Sequence, residues 1–182
     1  MGGVIRRDLM ESVIPKLYFK KGYKYQSEKD LVTRVKIYPA EDIITDYLEL
    51  TREGRFLQKK GYAWDGPSGP TKDTVETYRG SFVHDGLYQL LRMGLIGQDW
   101  REQADKEAYK IWLESNRNVC HEAIKRIDAS DDVWLAKNIR KECRRMRMNA
   151  NKPRFWTWYQ ALRLAAGPAA DPINKKEVII VP

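Results

Sequence analysis

Gly61-Tyr62-Ala63-Trp64-Asp65-Gly66-Pro67-Ser68-Gly69-Pro70 leads, after a short interval, into Phe82-Val83-His84-Asp85-Gly86-Leu87-Tyr88-Gln89-Leu90-Leu91. Between these two stretches the period of the chain changes. Upstream, apolar and polar residues alternate, as on a half-buried strand. Downstream, Phe82, Val83, Leu87, Leu90 and Leu91 recur at helical spacing. The segment 65–73 holds Pro67 and Pro70 with Gly66 and Gly69, which excludes both helix and central strand and makes it a loop of defined shape.

Working back from the loop, residues 17–62 read as β-rich. Leu17-Tyr18-Phe19 and Tyr23-Lys24-Tyr25 flank a Lys-Lys-Gly turn, Leu31 to Tyr38 alternates until Pro39, and Tyr47 to Thr51 alternates again. Glu53-Gly54 suits a hairpin turn, after which Arg55-Phe56-Leu57-Gln58 restarts a strand toward Tyr62.

Working forward, Gly94, Gly97 and Asp99 break the first helix. A second carries Ala104, Ala108, Ile111, Trp112 and Leu113, and a third runs from Asn118 to about Ile127. Ser130 reads as the N-cap of a fourth, with Asp131 and Asp132 in its first turn, where the helix dipole favours acids; Pro153 ends it. A short aromatic helix, Phe155-Trp156-Thr157-Trp158-Tyr159, and an extended tail from Pro168 to Pro182 follow, the tail closing on Val178-Ile179-Ile180-Val181. The expected fold is α+β: an antiparallel β region (1–62) packed as one domain with a helical core (63–152), then the aromatic helix and tail (153–182).

With 182 residues and 42% hydrophobic composition the chain can bury one real core. No stretch approaches the roughly 18 apolar residues of a membrane span, and the N-terminus does not read as a signal peptide. Cys120 and Cys143 are too far apart for a disulfide framework and read as free thiols in a reducing compartment. The net charge of +8 favours acidic partners. Arg140, Lys141, Arg144, Arg145 and Arg147 concentrate that charge on one helix, as a solvated face or as a surface for anionic lipid or nucleic acid.

The chemistry-bearing residues gather around the change of period. His84 and Tyr88, four apart, share a helix face, and Asp85 is turned by about 100° from His84. Asp105, on the next helix, reaches His84 if the two helices run antiparallel. One imidazole nitrogen is then held by a carboxylate and the other is free to take a proton from water. Asp85 and carbonyls of the 66–70 loop can together hold a hard cation, calcium above all. The blander alternative is a buried polar core in which Asp105 only satisfies His84 and Tyr88. His121 stands without a metal-binding partner in sequence.

The set resembles the secreted phospholipases of the A-two class, and more closely the cysteine-free phospholipase domain of parvovirus capsids. Those proteins carry a glycine-rich calcium loop, His-Asp-x-x-Tyr on a helix, and an Asp on the following helix. Carried over by position, the resemblance implies His84 as base, Tyr88 and Asp105 as its supporting pair, and Asp85 as a calcium ligand, with Tyr62 and the Gly66–Gly69 segment forming the loop. Asp65 and Ser68 are extra polar groups in that loop. Asp65 is a further ligand or a cap on its own backbone, and Ser68 is a ligand or, if His84 reaches it, a nucleophile.

The chain also resembles an uncharacterised family common in phages and prophages. Its pattern is matched here by Gly61, Tyr62, Asp65, Gly66, Ser68, Pro70, His84, Asp85, Leu87, Tyr88, Ala104 and Asp105. This implies a phage protein made in the host cytoplasm. It is expected to be either a calcium-assisted ester hydrolase or a virion component, in a tail or connector, that docks on other virion proteins through the C-terminal tail. A third expectation is a nucleic-acid or host-factor binding module using the basic helix.

Overall fold

The computed structural model describes residues 24–67, 74–128, 133–151 and 153–174. It has the expected α+β architecture: antiparallel strands first, then helices. Strands β2 (Leu31–Arg34), β3 (Ile43–Ile44), β4 (Leu48–Leu50) and β5 (Arg55–Gln58) form an antiparallel sheet in the order β2-β5-β4-β3. A separate pair joins β1 (Tyr25–Gln26) to β6 (Ala63–Trp64).

The β4–β5 hairpin turns where Glu53-Gly54 suggested. Gly54 has φ of +75°, a region that favours glycine, and its N–H donates to the Thr51 carbonyl at 2.9 Å. The alternation from Leu31 to Tyr38 predicts a longer strand than the one formed. The β2 ladder stops at Arg34, yet Val35 and Ile37 remain buried while Lys36 and Tyr38 point outward. The backbone bends at Lys36 and changes partner: the Lys36 N–H donates to the Glu107 carboxylate at 2.8 Å. The expected Lys-Lys-Gly turn lies outside the described residues, as do Ser130 and the Val178–Val181 run.

Helix α1 (Val75–Arg92) starts at Thr74, whose N–H donates to Thr77 Oγ1 at 3.0 Å, and has Glu76 in its first turn. It ends in a Schellman arrangement around Gly94, φ +67°, with Leu95 N–H to Leu90 O and Gly94 N–H to Leu91 O, both 3.0 Å. Helix α2 (Arg101–Asp128) is a correction to the reading above. It is one helix of 28 residues, not two. No Gly or Pro interrupts Glu114-Ser115-Asn116-Arg117, and tertiary packing buries Ser115 and Asn116 where a polar run suggested a break. Helix α3 (Val133–Asn151) and helix α4 (Pro153–Ala165) follow, and Pro153 therefore opens α4 as well as bounding α3. A short α5 (Gly167–Ala170) and a turn over Pro172–Asn174 end the described chain.

Helix α2 is the spine. One apolar cluster joins its first turns to α1 and the sheet through Phe56, Phe82, Leu87, Leu91, Ala104 and Ile111. A second joins it to α4 through Ala108, Trp112, Phe155 and Trp158, and a third joins it to α3 through Val119, Cys120, Ala123 and Cys143. Both cysteines are free and buried, and each Sγ faces the other's carbonyl, at 3.5 and 3.6 Å.

Gly86 sets the approach of α1 to the sheet. A Cβ there would stand 2.7 Å from Gln58 Nε2 and 2.8 Å from Phe56 Cζ, both in the fully buried core. Gly86→Ala is therefore expected to destabilise the fold by about 1–3 kcal/mol through overpacking, despite alanine's better helix propensity. Urea unfolding checks this, a stability equal to the parent's being the contrary result.

Candidate functional site: a buried carboxylate joined by three helices

His84 and Tyr88 lie one turn apart on the face of α1 turned toward α2, and the register of the two helices brings both onto Asp105. His84 Nε2 is 2.8 Å from Asp105 Oδ1, and the Tyr88 hydroxyl donates to the same oxygen at 2.7 Å. The two rings lie 4.0 Å apart, tilted by 35°. Asp105 is 0% exposed, so water cannot solvate its charge and protein donors must. Its second oxygen accepts from Arg163 Nη1 at 3.0 Å.

Arg163 comes from the aromatic helix, far from the motif in sequence. Its other terminal nitrogen lies 3.9 Å from Glu102, one turn before Asp105 on α2. Arg101 braces the same corner. Its Nε donates to the Tyr88 hydroxyl at 3.3 Å, and its Nη2 donates to the carbonyls of Leu162 and Arg163 at 3.0 and 2.8 Å. Those carbonyls belong to the last turn of α4, where a cation suits the helix dipole.

The charges follow from this geometry. Burial works against the Asp105 anion, but hydrogen bonds from His84, Tyr88 and Arg163, with the His84 charge, outweigh it and hold the carboxyl below its usual range. Burial also works against an imidazolium at His84. The hydrogen bond to Asp105 and the negative charges of Asp85 and Asp105 overcome that and raise its pKa above the usual 6.5. Tyr88 is pushed up, by burial first and then by Asp105, so its hydroxyl is a donor throughout the ordinary pH range.

His84 Nδ1 faces Asp85, 3.8 Å from its Oδ1. That is too long for a hydrogen bond and is an ion pair only when the ring is charged. The Asp85 side chain is 27% exposed and the His84 side chain 8%, so Asp85 rather than the buried ring meets solvent on this side. Gly66 is buried with φ of +77° beneath the Tyr25 ring, which explains a glycine at that point of the loop. Ser68 and Gly69 lie outside the described residues. Tyr62 is a core residue, its ring edge-on to Phe82 at 5.4 Å and its carbonyl accepting the Ser27 N–H at 2.8 Å. Its hydroxyl is driven up by burial first, then by Asp85, with Arg92 opposing and Asp65 adding, so both carboxylates lie within electrostatic reach of it.

Asp85 and Asp65 supply hard oxygen donors of the kind calcium takes. Among the described residues no three His, Cys, Asp or Glu side chains come close enough to hold a metal by themselves. A cation beside Asp85 would accordingly complete its shell from backbone carbonyls and water.

The sequence reading identified His84, Tyr88, Asp85 and Asp105 but not Arg101 or Arg163. The available signal was Arg163 standing four residues after Tyr159 and one after Leu162, on the side of the aromatic helix that packs against α2. Arg140, Lys141, Arg144 and Arg145 are exposed on α3, with Arg145 held by Glu142 at 2.7 Å; the Arg147 side chain is outside the description. Among the described residues no helix is long and apolar enough to cross a membrane. Comparisons with protein-family models, curated proteins and solved structures return no match.

Asp105→Ala strands His84, Tyr88 and Arg163 without their acceptor and is expected to cost about 3–5 kcal/mol. The parent should also lose stability on the acid side, because a carboxyl held low contributes above its unfolded value and stops contributing as pH falls through its folded one. In Asp105→Asn that acid-side loss should be reduced. Thermal melts between pH 3 and 7 measure both, and an unchanged acid limb in Asp105→Asn contradicts the assignment.

Proposed function

We propose that the chain is a phospholipase-like ester hydrolase encoded by a phage, with His84 as the base that activates water. The observation that carries this reading is the asymmetry of the His84 ring. Its Nε2 is fixed to a buried carboxylate, while among the described residues Nδ1 makes no hydrogen bond and faces Asp85 at 3.8 Å, a side chain 27% exposed. A base needs one nitrogen oriented and the other open to the proton it takes.

In the proposed step Nδ1 takes a proton from water as the water oxygen attacks an ester carbonyl. The tetrahedral oxyanion then collapses, the ester C–O bond breaks, and His84 returns the proton to the leaving alkoxide, giving a carboxylic acid and an alcohol. Asp105 keeps the Nε2–H tautomer and stabilises the imidazolium; Tyr88 holds Asp105 in place. Calcium at Asp85, with Asp65 and the loop after Gly66 as further oxygen donors, would supply electrostatic stabilisation of the oxyanion. The resemblance to A-two phospholipases motivates an envelope phospholipid, or another envelope ester, as substrate.

A second reading is a virion component in which the same node is purely structural. It is supported by the complete satisfaction of Asp105 within the protein, and by Val133, Trp134, Trp156, Leu164 and Ile173, which are large, apolar and exposed, as in an assembling protein.

Release of fatty acid from mixed vesicles, with and without calcium, decides between them. The hydrolase reading expects calcium-dependent release that His84→Ala reduces on the order of 100-fold or more and Asp85→Ala abolishes, both variants remaining folded. Activity should rise with pH through a midpoint above 6.5, because the neutral ring is the base and its pKa is raised. Release equal in the parent and His84→Ala refutes the hydrolase. Absence of release, with the protein at fixed stoichiometry in purified particles, establishes the structural reading.

A further inference from the structure

We propose that Arg163 is a positioning residue of the His84 site, clamping the Asp105 carboxylate so that one defined oxygen is presented to the imidazole. The purpose of that clamp rests on the hydrolytic reading; the clamp itself rests on geometry.

His84 and Tyr88 both bond Oδ1 of Asp105, at 2.8 and 2.7 Å. Nothing on α1 engages Oδ2. A carboxylate turns about its terminal bond in a broad well, so two donors on one oxygen leave the plane of the group poorly fixed. Arg163 Nη1, 3.0 Å from Oδ2, supplies the missing constraint and the countercharge that a carboxylate with 0% exposure requires.

The guanidinium is itself held. Its second nitrogen faces Glu102 at 3.9 Å, so it sits in a fork made by two acids one turn apart on α2. The backbone beneath it is tied by Arg101, which donates to the Leu162 and Arg163 carbonyls and also to the Tyr88 hydroxyl. Elsewhere on α4, Phe155 stacks on Trp112, Trp158 meets it edge-on, and Arg154 lies 3.7 Å from Glu76 on α1. Helix α4 is thereby a third wall of the site. Arg163 touches no atom that would react, so it acts only through Asp105. Its contact with Oδ2 is a single donor, which a lysine can also supply, and its side chain is 28% exposed, which lets a substitution be tolerated.

The chain has two histidines, and His121 is exposed, so His121→Asn leaves one imidazole to observe. In that background the Nε2 proton of His84, hydrogen-bonded to Asp105, is followed by nuclear magnetic resonance in the parent, Arg163→Met and Arg163→Lys. Arg163→Met is expected to shift this proton upfield and speed its exchange with water at least about tenfold, and Arg163→Lys to restore it, as loosening and remaking a charge-assisted bond requires. In vesicle hydrolysis, Arg163→Met should lower kcat on the order of 100-fold, the scale of a 1 Å misplacement, with KM nearly unchanged.

A folded Arg163→Met with the parent's proton shift and exchange rate overturns the inference. If circular dichroism shows that methionine prevents folding, the same comparison of Arg163→Gln with Arg163→Lys decides, equal spectra overturning it. A parent without any hydrolysis but with the expected proton response sinks the enzyme and leaves the clamp standing. Hydrolysis and proton signal both unchanged in Arg163→Met sink the clamp alone.

Discussion

A carboxylate with no exposed surface has to be met by donors in the protein, and at Asp105 they arrive from α1 and α4 onto an acid carried by α2. Leaving such a charge unpaired would cost several kcal/mol, a large share of a domain's net stability. The helices therefore cannot slide independently. Moving either partner by one residue turns its side chains by about 100° and takes the donor away. The fixed register of His84, Tyr88 and Arg163 around one acid is the constraint from which the site geometry follows.

The apolar packing agrees with that polar constraint. Helix α2 presents successive faces to α1 and the sheet, to α4, and to α3, so the hairpin of long helices and the β region are fastened to one rod. Glycine at 86 lets α1 press on Phe56 and Gln58, and Gln58 Nε2 donates at 2.7 Å to the Phe82 carbonyl two residues before His84. The sheet thus supports the turn of helix that carries the imidazole. Side chains held by packing and by a second layer of hydrogen bonds are what a precise site needs. They are equally what a rigid structural element needs, which is why the Nδ1 facing Asp85, rather than the Nε2 bound to Asp105, separates the two functional readings.

Electrostatics divides the molecule along its length. The compensated cluster of Asp105, Arg163, Glu102 and Arg101 sits near the start of α2, with Asp85 and Asp65 toward the loop after β6. The exposed cations Arg140, Lys141, Arg144 and Arg145 lie on α3, beyond the stretch of α2 that meets α4. The charged groups acting most strongly on His84 are its own neighbours Asp85 and Asp105.

Local rules in the sequence were enough for the switch from strand to helix, the Gly54 hairpin, the end of α1 at Gly94, and the helical spacing that puts His84 and Tyr88 on one face. Each depends on residues within a turn or two, where backbone conformation and periodicity act. Local rules failed where distant packing overrode them. The ladder after Arg34 gave way to a contact with Glu107, and the polar stretch 114–117 stayed helical because α2 buries part of it. Arg163 and Arg101 were illegible for the same reason. Read alone, an arginine on an aromatic helix is a surface cation; only the fold brings it 58 positions back along the chain to the second oxygen of Asp105. Sequence determined which polar side chains share a face of each helix. Tertiary structure alone decided which faces of those helices meet, because that depends on a buried charge finding all of its partners at once.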